Sequence, residues 1–495
     1  MYFKQKSNVI FRSYESFGYI TDSRHFGYKQ ANNGGNDDIG DKIVSQSGAV
    51  FLSVLSENPQ PLDDLVKKIS MNFISSDIDA IKTDAREFYR LLELDGFIVS
   101  GETMQECNEK DWRFSYKVAE SQKEKRDCSP IRSLEKSTQE FFDEYFKNEP
   151  QLTNLHIEIT SKCNERCVHC YIPHDNKTRH IEPDLFYNIL EQCKEMNLLH
   201  VTLSGGEPLM HNNFDDFLKK CNEYNFSVNV LSNLTLLNIE NIEEMKRNRL
   251  LGVQVSLYSM DPNIHDAITQ EKGSFEKTMS AIHKLKENDI PMQISCPILK
   301  KNMNCYDMVI EWGKANNIHV GSDFIILARY NHTTQNLSNR LSISDVREIL
   351  KQKNTKDPKD FEELEKEAEH KKIDPDDIVC SVCHSSICIA DNGNVYPCAG
   401  WQDYVVGNVN EASLKDIWSN SNKVQYLRSL RKRDFPKCIQ CAESAFCTMC
   451  MVRNANEHHL GDPLEVNEYF CNIAKVNREL VQEWKHSLTN VLDIK

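Results

Sequence analysis

Eighteen cysteines stand in a chain of 495 residues, and they are unevenly spread. Cys163, Cys167 and Cys170 crowd into the run Cys-Asn-Glu-Arg-Cys-Val-His-Cys-Tyr, and nine more lie between Cys380 and Cys471. Three thiolates on one short loop suit three irons of a 4Fe-4S cube and leave the fourth iron open to another ligand. A structural zinc would want a fourth protein donor, which His169 or His174 could supply. The C-terminal group reads Cys380-x2-Cys383, Cys388, Cys398, Cys438-x2-Cys441-x5-Cys447-x2-Cys450 and Cys471. That many thiols exceed one zinc site and suit two four-ligand centres. Cys107, Cys128, Cys193, Cys221, Cys296 and Cys305 are dispersed, as small buried hydrophobes usually are. A further motif, Ser204-Gly-Gly-Glu-Pro208, offers close backbone approach at Gly205 and Gly206, and a carboxylate at Glu207 that could accept from an ammonium group.

These residues need elements to hold them. Strand-like runs at 155 (LHIEIT), 200 (HVTLS), 226 (FSVNVLS), 251 (LGVQVSL), 291 (PMQISCP) and 323 (DFIILA) alternate with helix-length intervals. That pattern predicts parallel β/α units, in a doubly wound sheet or a full or partial barrel. The first cysteine loop follows the first strand and the Gly-Gly-Glu turn ends the second, where active sites of such folds gather. Ahead of this, residues 1–100 read as a winged-helix-like α+β module. Two short β-rich runs, Val9–Phe11 and Gly18–Thr21, precede three helical patterns, the third spanning Asp77 to Leu94 and stopping before Gly96. A strand at Phe97–Val99 follows, and the Asn/Gly/Asp run at 32–38 reads as a turn or loop. Residues 101–150 read as a charged linker ending in a helix, 346–377 as a charged connector, and 476–495 as a terminal helix.

Composition narrows the function classes. A formal charge of -15 disfavours general nucleic-acid binding. No apolar run is long enough to span a bilayer, and the N-terminus lacks the features of a signal peptide, so a cytoplasmic location with reduced thiols is expected.

The C-x3-C-x2-C loop followed by Gly205-Gly206-Glu207 resembles the radical S-adenosylmethionine (SAM) superfamily, and the second cysteine group resembles its SPASM extension. The resemblance implies a partial (β/α)6 barrel over 151–345 and a SPASM domain over 378–475, in an α/β chain. It implies three 4Fe-4S clusters and SAM: Cys163, Cys167 and Cys170 hold the SAM-binding cluster, Cys380, Cys383, Cys398 and Cys450 the first auxiliary cluster, and Cys438, Cys441, Cys447 and Cys471 the second. Cys388 competes with Cys383 for the first auxiliary cluster, and Cys447-x2-Cys450 is one residue shorter than the common spacing. Gly205, Gly206 and Glu207 would bind the methionine amino end, Ser232, Asn233 and Ser256 the ribose and carboxylate, and His169, Tyr171, Ile326 and Leu327 the adenine. Thr269 stands where an Arg is often found. No residue is singled out as a catalytic base.

With the N-terminal module, the arrangement resembles ribosomal-peptide maturases, in which a leader peptide adds a strand to the module and packs on its third helix. The implied activity is thioether crosslinking of a Cys sulfur to carbon in a precursor peptide, served by a low-potential electron donor such as flavodoxin or ferredoxin. Relatives of the same architecture form carbon-carbon crosslinks or epimerise residues. Anaerobic sulfatase-maturing enzymes share the core and the SPASM clusters, but the N-terminal module argues against that reading.

Overall fold

The computed structural model describes residues 1–22, 40–73, 77–111, 116, 138–356, 359–370 and 374–492. The expected turn at 32–38, the charge run at 122–127 and Cys128 lie outside these.

The N-terminal module pairs β1 (Tyr2–Gln5) between β5 (Gln60–Pro61) and β6 (Ile98–Gly101), and stacks β2 (Ile10–Ser13), β3 (Phe17–Thr21) and β4 (Asp41–Ser45) into a second sheet. Four strands therefore precede the first helix where the sequence predicts two. β1 is four residues long and exists through its pairing with β6, Tyr2 opposite Gly101, a contact no local pattern carries. Three helices follow, α1 (Gln46–Ser53), α2 (Leu62–Ser70) and α3 (Ile78–Leu94). α2 buries Leu62, Leu65, Val66 and Ile69, the i, i+3, i+4, i+7 face. The Asp77 carboxylate caps α3 by accepting from Asp79 N, and Gly96 beyond its end takes φ 83°, the left-handed turn that glycine makes without strain.

The central body is one nine-stranded sheet. Its parallel part runs β12 (His319–Gly321), β11 (Met292–Ser295), β10 (Leu251–Ser256), β9 (Ser227–Ser232), β8 (His200–Gly205) and β7 (Asn154–Thr160), and it continues through β13 (Ser386–Ile389), β14 (Asn394–Tyr396) and β15 (Gly407–Asn408). Along each barrel strand one face is apolar. Ile157, Leu203, Val230, Val255 and Ile294 join Phe186, Phe217 and Leu285 of the surrounding helices in the main core. Successive side chains alternate across a strand, so the other face carries His156, Glu158, Thr202, Ser204, Asn229, Gln254, Ser256, Gln293 and Ser295. That inner wall is polar and mostly half-buried.

The sixth strand differs from expectation. It occupies His319–Gly321, while Asp323–Ala328 makes no ladder. Side chains there take the carbonyls a partner strand would have used: Arg340 Nη2 donates to Ile326 O (2.6 Å), Asn336 Nδ2 to Leu327 O (2.8 Å) and Asn456 Nδ2 to Ala328 O (3.2 Å). The charged connector is helical, over Ile343–Lys356 and Lys359–His370, and the last helix begins at Glu468, which puts Cys471 in its first turn.

The module docks on one rim of the barrel. Arg12 Nε donates to Leu198 O (3.1 Å) and its Nη2 to Asn225 O (2.7 Å), Asn197 Nδ2 donates to Ser13 O (3.1 Å), and Arg249 pairs with Glu57. Ile10, Phe17, Tyr19 and Ile43 pack with Phe142, Leu199 and Leu250. Leu198 and Leu199, Asn225, and Arg249 and Leu250 immediately precede β8, β9 and β10, so the module sits at the N-terminal ends of the strands, opposite the cysteine loop. Among the described residues no helix is long and apolar enough to cross a membrane.

Candidate cofactor-binding site

The loop after β7 is held by backbone and amide contacts from several directions. Arg166 N donates to Thr269 O (3.0 Å), Val168 N to Ile268 O (2.9 Å), and Asn339 and Asn336 donate to Val168 O (3.1 Å) and His169 O (3.2 Å). Thr269 thus pins the loop with its carbonyl, and its hydroxyl bonds Ser274 (2.7 Å). Burial pushes the Cys167 thiol well up, and the charges of Glu165, Cys170 and Cys163 add to the shift, so the three thiols lie within electrostatic reach of one another. Burial likewise raises Cys163 to about 12. A metal reverses this penalty by binding the thiolate.

The two glycines serve the loop. A Cβ on Gly205 would lie 1.9 Å from Thr160 O, and one on Gly206 would lie 2.1 Å from Lys162 O. Gly206 N donates to Thr160 O (2.7 Å) and Glu207 N to Lys162 O (2.8 Å), lacing the end of β8 onto the root of the cysteine loop. The close approach that glycine permits is to the protein's own backbone.

Glu207 is fully buried. Its Oε1 accepts from Leu209 N (3.0 Å) and Ser232 Oγ (2.7 Å), and its Oε2 from Asn233 N (2.8 Å). Burial outweighs these donors and raises its carboxyl to about 7. Ser232 and Asn233 therefore meet Glu207, and Asn233 Nδ2 also reaches Asn164 Oδ1 in the cysteine loop (3.0 Å). Ser256 lies on the side of the Tyr258 hydroxyl. Tyr258 is fully buried beside Cys167, its ring 5.2 Å from that of His169, and it packs with Ile326, Ile268 and Val168. Leu327 and Tyr171 meet at Gly400. The loop, the turn and the ends of β9 and β10 thus converge, with an apolar wall at Val168, Tyr258 and Ile326.

The donor set suits a cluster. His169 Nδ1 and Glu165 Oε1 are buried without a hydrogen-bond partner, a state buried polar atoms rarely keep. Among the described residues no three His, Cys, Asp or Glu side chains close on a single-ion site, as a zinc with Zn-S near 2.3 Å requires. A cube spreads its thiolates further apart.

Burial raises the C-terminal thiols Cys383, Cys398 and Cys438. Burial lifts Cys398 to about 12, and the charges of Cys450 and Cys380 push it the same way. Cys383 senses Cys380 and Cys398, whereas Cys388, on β13, senses Cys398, Glu158 and Cys383. Cys438 senses Cys447, Cys471 and Cys441. Cys383 takes φ 58°, and its carbonyl accepts from Arg428 Nε (2.6 Å).

Tyr258 and the inner-wall residues His156, Glu158, Gln254 and Gln293 were not singled out by sequence reasoning. Their signal was present: parallel strands buried on both faces read as continuous apolar runs, and a polar residue at every second position marks a wall facing an open interior.

Residues 157–313 match the radical SAM superfamily, and residues 380–442 match SPASM, an iron-sulfur cluster-binding domain. The chain is 25% identical over 325 residues to the antilisterial bacteriocin subtilosin biosynthesis protein AlbA of Bacillus subtilis, covering 63% of this chain and 70% of that one. It is 24% identical over 345 residues to the AdoMet-dependent heme synthase of Methanosarcina barkeri, covering 65% and 96%. The fold is similar to that of Streptococcus suis SuiB bound to precursor peptide SuiA, with a TM-score of 0.57 at 14% identity, covering 95% of this chain and 100% of that one.

Proposed function

From the premise that this chain is a radical SAM enzyme carrying a SPASM domain, we propose that it modifies a ribosomally made precursor peptide and links a Cys sulfur to a carbon as a thioether. One observation carries the reading: a single sheet bears the radical-type cysteine loop at the end of β7 and, one strand away on β13 and β14, the approach to the auxiliary thiols. When bound, the clusters and SAM would supply a 5′-deoxyadenosyl radical and a sink for the electron that the new bond releases. The protein's part is placement. Cys163, Cys167 and Cys170 hold the first cluster, Gly205 and Gly206 keep their loop seated, and Val168, Tyr258 and Ile326 exclude water from one side. Cys380, Cys398 and Cys450, with Cys383 or Cys388, hold the second cluster; Cys438, Cys441, Cys447 and Cys471 hold the third. A flavodoxin or ferredoxin supplies electrons.

The N-terminal module receives the leader. The outer edge of β6 is taken: Ser100 N donates to Glu93 Oε1 (2.8 Å), and Ser100 O accepts from Lys110 Nζ (2.9 Å). The strand therefore adds to the β2-β3-β4 sheet, which the Lys42-Asp95 ion pair ties to the end of α3. Six-residue β8 separates the docked rim from the cysteine rim by roughly 20 Å. At least about six extended residues must then separate the leader contact from the reacting residue.

The test is coexpression with a short, Cys-containing reading frame encoded beside the gene, followed by mass measurement and thiol alkylation. A thioether removes two hydrogens per link and leaves that cysteine unreactive. Loss of two hydrogens with every thiol still alkylated would show a carbon-carbon link, and an unchanged mass would overturn crosslinking altogether.

A further inference from the structure

β13 joins β7 in parallel, Cys388 opposite His156 and Ile389 opposite Ile157, and β14 returns with Tyr396 opposite Cys388. Paired residues share a face of a sheet. His156, Cys388 and Tyr396 therefore stand on the inner wall, and Glu158, two residues past His156, stands there with them. Glu158 is 4% exposed. Its Oε1 accepts from the Tyr171 phenol (3.3 Å) and its Oε2 from the Gln402 amide, which also donates to the Tyr396 phenol oxygen (3.4 Å).

The position of these partners in the chain gives the contact its meaning. Tyr171 directly follows Cys170 of the first loop, and Tyr396 and Gln402 bracket Cys398. Cys388 senses the charge of Glu158 together with that of Cys398. Both donors to Glu158 are neutral. A buried carboxylate without a cation is costly, and stability alone would be served as well by a neutral side chain of the same shape. An acid kept at such a point, between two cofactor-type sites, is a functional candidate.

We infer that Glu158 is a positioning residue that couples the two sites, holding Tyr171 on the radical side and Gln402, with Tyr396 behind it, on the auxiliary side, so that a change at one is felt at the other. The inference rests on the reading that Cys163, Cys167 and Cys170 and the Cys380-Cys398-Cys450 set hold clusters. Burial raises the Glu158 carboxyl to about 7, so above that pH Glu158→Gln keeps the shape and removes the charge. Removing a negative charge near a cluster favours its reduced form, and loosening Tyr171 weakens the adenine wall.

The experiment uses the full chain, reconstituted anaerobically, with iron content, redox-poised electron paramagnetic resonance and equilibrium SAM binding as readouts. Glu158→Gln should keep the wild-type iron content. At about pH 8 and fixed potential it should raise the reduced-to-oxidised ratio of one auxiliary cluster about tenfold, which is 59 mV for one electron, and weaken SAM binding several-fold. Gln402→Leu, which removes the donor to Glu158 Oε2, should weaken SAM binding in the wild-type background and have no further effect beside Glu158→Gln, the non-additivity of a coupled pair. An unchanged potential and SAM affinity in Glu158→Gln would overturn the inference. So would loss of iron in that variant, which would make the role structural, or full additivity with Gln402→Leu. Wild-type chain that takes up no 4Fe-4S cluster would instead refute the cofactor reading on which the inference stands.

Discussion

Replacing Gly206 with alanine should strip the first cysteine loop of iron while leaving the C-terminal thiols loaded. The new Cβ would meet Lys162 O at 2.1 Å, Lys162 C at 2.5 Å and Ser161 O at 2.6 Å, all backbone atoms that cannot rotate away. Restoring even a 3.0 Å contact moves the loop root by 3.0 minus 2.1, or 0.9 Å. That displacement stretches Gly206 N to Thr160 O and Glu207 N to Lys162 O, now 2.7 and 2.8 Å, past hydrogen-bond range. Two buried bonds lost without replacement cost about 1 to 3 kcal/mol each, hence roughly 2 to 6 kcal/mol. This is a large share of the 5 to 15 kcal/mol that stabilises a typical domain, so the loop opens before the barrel unfolds. Iron and sulfide analysis should show a fall from about 12 irons per chain to about 8, the loss of one cube of three, with reductive SAM cleavage abolished. Gly321→Ala is the control, because its nearest neighbour would be Ile294 O at 3.9 Å. A Gly206→Ala protein with full iron content and normal SAM cleavage would refute the seating role of the glycine.

Three other outcomes follow from the same geometry. Ser232→Ala removes one of three donors to buried Glu207 and should cost about 1 kcal/mol in urea unfolding, with iron uptake retained. Glu207 has its carboxyl raised from 4.5 to about 7 by burial. Its unfolded form ionises first as pH rises, so the stability this residue contributes should fall between about pH 4.5 and 7, by up to roughly 3 kcal/mol, and level off above; because burial also raises Glu158 and Glu165 and lowers His156, His169 and His265, the readout is wild type against Glu207→Gln, and a wild-type stability that does not fall relative to the variant would contradict the burial argument. Arg340 pairs with Glu457 (3.0 Å), caps Ile326 O and lies 4.4 Å from the Tyr469 ring centroid. Arg340→Met should lower stability by about 3 kcal/mol through the acid left unpaired, and adding Glu457→Met should recover most of it.

The chemistry-bearing loops were legible because they are local. A C-x3-C-x2-C spacing keeps three thiols on one loop whatever surrounds it, and the periodicity of Leu62, Leu65, Val66 and Ile69 declares a helix face by itself. The sixth strand was misplaced because Ile325, Ile326 and Leu327 are as apolar as a strand should be, yet Arg340, Asn336 and Asn456 claim their neighbourhood's carbonyls from far along the chain. That Glu207 is also bonded to Ser232 and Asn233 could not be read from a Gly-Gly-Glu turn, because those residues come from the end of the next strand.

By itself the amino-acid sequence determined the inventory: three thiols on one loop, nine more in the last part of the chain, a glycine pair at a strand end and a polar residue at alternate positions of the barrel strands. Covalent spacing and side-chain periodicity are properties of neighbouring residues, and they survive any arrangement of the rest. Tertiary structure alone decided that the N-terminal module sits on the rim away from the cysteine loop, and that Glu158 lies between Tyr171 and Gln402. Those results depend on which strand edge takes β13 and in what register, a choice made by packing between segments more than 200 residues apart, where a one-residue slip would turn Cys388 to the opposite face.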